Sequence, residues 1–338
     1  MKLPNVVRKV LIGTALIAVI AGILLYSDLE QRRRNRSGAT AANRIYKIGI
    51  AYFAPEEGVD LCIKGLIDGL GEQGFVEGRN LVVLKAHAQA EISNIPAVLQ
   101  NFDSQDVDLI VPLSTPCLAA ACNVVKRKPV TFSYVYDPIA GGAGKSFTEH
   151  VPHVTGVGSF PDVAGTFEVI RQLVPGVKRI GTLYNSSEMN SVKVISVGRE
   201  TCQKMGLKLE EVAITGTSEV HQAAQVLVTR DIQALWVTGD NTALQAMAAI
   251  GKVAADSRIP LIINDPEFVD RGALAAVGIG WHRSGYEAGR MASRVLRGEK
   301  PRDIPFVNVA ERKLVLNEAV AQKLGISFPA ALRAQAGL

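Results

Sequence analysis

From Lys47 to Leu296 short apolar runs alternate with longer stretches of helical spacing, and this alternation restricts the fold more than any other feature. Strands are expected at 47–51, 81–86, 107–111 and 130–135, separated by helices at 59–70, 95–102 and 116–125. A long loop follows. The order then resumes near 155–160, with helices at 163–173, 192–205, 219–228, 243–255 and 283–296 and strands at 179–184, 207–214, 234–237, 260–263 and 273–279. Strands spaced by helices of this length imply parallel sheets covered on both faces. One sheet would hold too many strands, and the pattern restarts midway. The expected class is therefore α/β, with two doubly wound lobes. Lobe 1 is read as 45–156 plus 282–302 and lobe 2 as 157–281 plus 303–338, behind an amino-terminal segment of 1–44.

Ligands of such sheets bind outside the carboxyl ends of the strands. In lobe 1 those ends carry Phe53, Pro55, Glu56 and Glu57, then Ser114 and Thr115, then Tyr136 and Asp137. In lobe 2 they carry the stretch from Tyr184 to Ser191, then Asp240, Asn241 and Thr242, then Asn264 and Asp265, then Trp281 and His282. These groups suit angular hydrogen bonding to a small polar ligand. Ser114, Thr115, Asp240, Asn241 and Thr242 also stand where helices begin, so capping competes with ligand contact as their role. One cap needs one polar residue. The stretch Tyr-Asn-Ser-Ser-Glu-Met-Asn-Ser (184–191) has six, so Asn185, Glu188, Asn190 and Ser191 are ligand candidates.

Charge argues against nucleic acid. The 338 residues include 37 Lys/Arg and 32 Asp/Glu. Eight of the basic and two of the acidic residues lie in the first 44, leaving 29 and 30 for the body. A near-neutral body offers no footprint for a polyanion. The run from Val10 to Tyr26 is 17 uncharged, mostly apolar residues behind Lys2, Arg8 and Lys9. That length is at the short end for a membrane span. No small-residue cleavage site follows directly, since the chain continues Ser27-Asp28-Leu29-Glu30 and then into arginines; Ala39-Thr40-Ala41 lies far downstream. The first cysteine is Cys62, too late for a lipid-anchored cysteine. An uncleaved signal anchor is read over a cleaved signal. Four arginines at 32–36 against three basic residues upstream lean towards a cytoplasmic body; the fold points outside and outweighs them.

Catalytic signals are poor. Gly144-Lys145-Ser146 ends like a phosphate-binding loop, but the first required glycine is Ile139. The five histidines have no metal-site spacing, and no nucleophile elbow is present. Cys62, Cys117, Cys122 and Cys202 lack CxxC spacing and read as buried free thiols, with a disulfide open if the body is exported. No cofactor or metal is expected.

Eight ordered segments carry a family resemblance: "GLIDGLGEQGFVEGRNL", "VDLIVPLSTPCLAAA", "PVTFSYVYDPIAGG", "HVTGVGSF", "QLVPGVKRIGTLYNSSEMNSV", "TSEVHQAAQVL", "VTGDNTAL" and "GALAAVGIGWHRSGYEAGRMASRVLRGEKPRDIPF". Over about 45–330 the chain resembles the periplasmic substrate-binding components of ABC transporters, in the branch associated with tryptophan and related amino acids. The resemblance implies a type I periplasmic-binding-protein-like fold that closes on a small solute about a hinge, without enzymatic activity. It implies delivery to ABC permease subunits from the periplasmic side, anchored to the inner membrane through residues 10–26. By position it places ligand-facing loops at Ser114 and Thr115, Asp137, 185–191, and Asp240-Asn241. On this reading Ser114, Thr115 and helix amino termini hold the carboxylate of an amino acid. Asp137, Glu188 or Asp240 pairs with its amino group. Phe53, Tyr136, Tyr184 or Trp281 stacks on its side chain, and Glu56 and Asp265 complete the candidate set. Two departures bear on specificity. The family commonly has a His-Pro-type loop where Glu56-Glu57-Gly58 stands, and an aspartate before aromatics where Gly280-Trp281-His282 stands. A membrane-anchored sensing ectodomain is the alternative, and an α/β enzyme a third.

Overall fold

The computed structural model describes residues 44–309 and 312–338. The expected anchor at Val10–Tyr26 lies outside them. Among the described residues no helix is long and apolar enough to cross a membrane.

In chain order the first half is β1 (Tyr46–Tyr52), α1 (Glu57–Glu72), β2 (Leu81–His87), α2 (Ile95–Ser104), β3 (Leu109–Leu113), α3 (Thr115–Val124), β4 (Val130–Val135) and β5 (Val154–Gly158). Next come α4 (Val163–Leu173), β6 (Arg179–Asn185), α5 (Met189–Met205), β7 (Lys208–Ile214), α6 (Val220–Val228) and β8 (Ala234–Val237). The chain continues through α7 (Asn241–Gln245), α8 (Met247–Asp256), β9 (Leu261–Ile263), β10 (Ala275–Gly278) and α9 (Trp281–Leu296). It ends with β11 (Val307–Asn308), β12 (Lys313–Leu316), α10 (Glu318–Leu324) and α11 (Ala330–Ala336).

These strands form two six-stranded sheets, ordered β11-β5-β4-β3-β1-β2 and β12-β10-β9-β8-β6-β7. Every pairing is parallel except β10 with β12. Each half thus repeats one doubly wound order, and the switch points fall between β1 and β3 and between β6 and β8. Both sheets are sandwiched by helices, as the fully buried strands β3, β4, β8, β9 and β10 require. The expected two-lobed α/β class is observed. The sheets also show that the position expected to open lobe 2, Val157, lies inside β5, and that Val307 and Asn308, assigned to lobe 2, pair with β5.

Helix α9 is joined to lobe 1 by a glycine seam. Gly65 and Gly69 of α1 face Gly285 and Gly289 of α9. A Cβ on Gly65 would stand 2.0 Å from the His282 carbonyl oxygen, and one on Gly285 would stand 1.9 Å from that of Cys62. Only hydrogen fits between helices this close. The amino terminus of α9, with Trp281, is thereby fixed above the carboxyl ends of the lobe-1 strands.

The four cysteines are free; Cys62, Cys117 and Cys202 are buried and Cys122 half-buried. Burial pushes their thiols up to about 12, and Cys122 to about 11, which leaves them protonated and unreactive at neutral pH. The glycine-rich stretch is a surface connection between β4 and β5. Lys145 Nζ pairs there with Glu149 at 2.8 Å.

Candidate functional site

The two sheets direct their switch-point loops at each other. On the lobe-1 side, β3 turns into α3 through Ser114, a non-glycine residue at φ 94°. Backbone there costs about 1–3 kcal/mol and persists where the surroundings hold it. Ser114 does not cap α3 with its side chain. Its Oγ has no partner beyond the weak Cys117 thiol, and the buried Thr115 Oγ1 has none. Tyr134, at φ 57°, breaks the register of β4 against β5. Tyr134 and Tyr136 both approach Trp281, with ring centroids 4.1 and 5.9 Å away, the second pair stacked.

The lobe-2 side is built differently. Glu188 is fully buried and accepts from Asn241 N (2.9 Å), Asn241 Nδ2 (2.5 Å), Thr242 N (2.9 Å) and Thr242 Oγ1 (2.7 Å). Asp240 caps α7, accepting from Ala243 N at 2.8 Å, and also accepts from Asn185 N at 2.6 Å. Two carboxylates therefore hold the first turn of α7 and tie it to β6. Burial, then the neighbouring Glu188 charge, pushes Asp240 up to about 7. Asn190 donates through Nδ2 to Gly239 O at 2.9 Å, while its Oδ1 is buried without a partner.

The lobes meet through a few polar contacts. Tyr136 Oη accepts from Gly239 N (3.0 Å) and donates to Asp265 Oδ2 (3.2 Å). Trp281 Nε1 donates to Asp265 Oδ1 at 3.1 Å. Gln245 Nε2 reaches Glu56 Oε2 at 3.4 Å, and Tyr134 Oη donates to Glu56 Oε1 at 2.7 Å. Burial is the largest cause that pushes Asp265 up to about 7 and Glu56 up to about 8, reinforced by surrounding carboxylates. Closure gathers acidic groups into a poorly solvated space.

Two spaces remain between the lobes. An inner cavity of about 10 Å³ touches Thr115, Tyr134, Tyr136, Asn190, Asp265 and Trp281, with Asn241 also on its wall. It has room for about one water. A wider chamber of about 170 Å³ opens at the mouth beside Glu56, Leu244 and Arg271. Leu244 borders both.

Of the sequence candidates, Thr115, Tyr136, Asn190, Asn241, Asp265 and Trp281 line the inner cavity and Glu56 the mouth. Ser114 adjoins Thr115. The remaining candidates have other occupations. Phe53 is buried in the apolar cluster beneath β1 and α2. Tyr184 Oη accepts from Arg199 on α5 at 3.2 Å. Asp137 Oδ1 accepts from Ile139 N (2.9 Å) and Ala140 N (3.0 Å), turning its own loop. The side chains of Asn185, Glu188 and Asp240 are occupied by Ser187, Asn241, Thr242 and Ala243, and Ser191 Oγ lies 3.3 Å from Asn190 Nδ2. Asp137, Glu188 and Asp240 are thus held by bonds within the protein, and Asp265 is the carboxylate on the inner-cavity wall. Tyr134, Leu244, Gln245 and Arg271 were not singled out from sequence. Tyr134 precedes Tyr136 by two residues on one strand end, a spacing that puts both on one side.

Two doubly wound lobes with facing switch-point loops and a cavity rimmed by unpartnered hydroxyls and buried acids define a solute-binding clamp. The chain matches the family model described as ABC transporter substrate binding protein over residues 47–337, and it belongs to that family. Such proteins capture a solute for transport on the extracytoplasmic side rather than transform or signal it. A tyrosine-binding protein of Clostridioides difficile (strain R20291) is 32% identical over 314 residues, covering 90% of each chain. The Streptococcus pneumoniae ABC domain in complex with L-Trp is 30% identical, with TM-score 0.83 over 87% of this chain and 99% of that one. A ligand-free, open substrate-binding protein with adhesive properties from Clostridium difficile is 32% identical, with TM-score 0.65 over 85% and 97%.

Proposed function

We propose that the solute is an amino acid, with aromatic amino acids the first candidates, held between the lobes at the inner cavity. The observation that carries this is the pair of buried, unpartnered atoms Thr115 Oγ1 and Asn190 Oδ1 on residues of the inner cavity, with Ser114 Oγ next along the chain met only by the weak Cys117 thiol. Buried polar atoms normally have partners. Two hydroxyls at the start of α3 suit a carboxylate. Asn190 Oδ1 and the Asp265 carboxylate suit an ammonium group, and Tyr134, Tyr136 and Trp281 supply flat apolar faces. The inner cavity is too small for an amino acid, so entry requires the lobes to part and Tyr136 to leave Gly239 and Asp265. The two relatives support hinge motion of this kind. At nearly equal identity this closed structure matches the L-Trp complex better than the open one.

The moving bodies are 46–158 with 281–309, and 159–280 with 312–338, the latter containing β12. The run Val10–Tyr26 serves as the inner-membrane anchor, and ABC permease subunits receive the solute.

Thermal unfolding of the protein with each of a panel of amino acids, small peptides and nucleosides tests the reading. A ligand specific to the folded state adds about 2.7 kcal/mol at a hundredfold excess over Kd. A shift confined to amino acids is expected. A shift with nucleosides alone, or with nothing, removes the amino-acid assignment.

A further inference from the structure

The mouth chamber has features that the inner cavity does not explain. It is bounded by both lobes, with Glu56 and Glu57 on one side and Leu244, Gln245, Phe268 and Arg271 on the other. Its volume of about 170 Å³ exceeds the roughly 150 Å³ of a cavity that takes a benzene-sized molecule. Leu244 and Phe268 give it apolar wall, and both are buried. Glu56 is engaged by Tyr134 and Gln245. Glu57 and Arg271 line the chamber from opposite lobes, both exposed, and neither forms an ion pair or side-chain hydrogen bond among the described residues. An unpaired anion and an unpaired cation thus line the mouth from opposite lobes.

We infer that this chamber is a second binding site for a zwitterionic solute, an entry site in which Arg271 takes the carboxylate and Glu57 the ammonium group before the solute passes Leu244 to the inner cavity. The inference rests on the amino-acid reading for the class of solute, but it assigns different residues and a different step. Guanidinium meets carboxylate through paired donors, and an ammonium group meets Glu57 as a compact charge. Either group can take one end of the solute while the lobes are apart, and the second contact forms as they close behind it. Capture at the mouth then acts on the association rate. The inner contacts act on dissociation.

The test is stopped-flow binding of L-tyrosine and L-tryptophan to the whole protein and to E57Q, R271Q and T115V. Both mouth positions are exposed, so these variants retain the fold; a melting temperature equal to wild type checks this. E57Q and R271Q are each expected to slow association at least fivefold and leave dissociation unchanged, while T115V speeds dissociation and leaves association unchanged. Wild-type association rates in both mouth variants, with T115V still weakened, overturn the entry site and leave the amino-acid reading standing. Failure of wild type to bind either amino acid overturns both.

Discussion

The two walls of the cleft both carry polar side chains and use them in opposite ways. The lobe-2 wall largely satisfies itself: Glu188 and Asp240 consume the amides and hydroxyls around the start of α7, Asn185 Nδ2 donates to Thr242 Oγ1 at 2.9 Å, and Asn190 Oδ1 is left over. The lobe-1 wall leaves the Thr115 hydroxyl unpartnered and the Ser114 hydroxyl, on strained backbone, met only by the weak Cys117 thiol, with aromatic rings beside them. One wall is a braced platform and the other is a set of unmet donors. Polar density alone does not separate scaffold from contact surface. What separates them is which atoms still lack a partner after folding.

The contrast is sharpest at Glu188. Glu188→Ala leaves the Asn241 and Thr242 amides and side chains unpaired in a buried place. About 3–5 kcal/mol of stability is expected to go, read by chemical denaturation. A loss under 1 kcal/mol would remove the brace. Gly239 comes next. A Cβ there would stand 2.1 Å from Tyr136 Oη, so Gly239→Ala holds the lobes apart with little effect on either lobe's core. If the closing fraction falls to about 1%, apparent affinity falls about a hundredfold. Calorimetry gives the affinity, and small-angle scattering should show a larger radius of gyration in the presence of ligand. Thr115→Val keeps shape and removes only the hydroxyl. About a tenfold loss of affinity is expected with an unchanged or slightly raised melting temperature, because the hydroxyl has no partner within the protein.

The contrast also has a pH dependence. Asp240 and Asp265 sit at about 7 and Glu56 at about 8, above the ordinary carboxylate range. The folded state therefore holds more protons than the unfolded chain, and the stability these groups contribute is full below about pH 4 and lost as pH rises through 7 to 8. Asp103 acts in the other direction. The backbone amides of Lys126, Arg127 and Lys128 outweigh its desolvation and hold it below the ordinary range, so its contribution is lost on acidification. The melting temperature should peak in mild acid and decline to pH 8, and Asp265→Asn should flatten part of that decline. A profile flat from pH 5 to 8 would place these acids in ordinary solvent.

Much of the fold was legible because alternating apolar runs and helical spacing report burial directly. The expected strand 130–135 and helix 163–173 have those observed bounds. The sequence hid β5, whose Val-Thr-Gly-Val-Gly run is short, glycine-bearing and without alternation, although all five residues are buried. It also hid β12, a late antiparallel addition to a parallel sheet, and the break at Ala246 between α7 and α8. Strand-end reasoning singled out Thr115, Tyr136, Asn190, Asn241, Asp265 and Trp281, which line the inner cavity. It did not show that Asp137, Glu188 and Asp240 take donors from the protein, because a carboxylate in a turn or at a helix start looks alike whether its donors come from a ligand or from the chain. Gln245 and Arg271 lie beyond the strand-end loops, on α7 and after β9, and only tertiary structure brings them to Glu56 and Glu57.

The most direct test is calorimetric titration of wild type and Thr115→Val with the amino acid that gives the largest thermal shift and with the amine made by removing its carboxylate. If the lobe-1 wall is the carboxylate-binding wall, wild type strongly prefers the amino acid, and Thr115→Val narrows that preference by about tenfold while leaving amine affinity unchanged. Equal losses for amino acid and amine, or no loss for either, would contradict it.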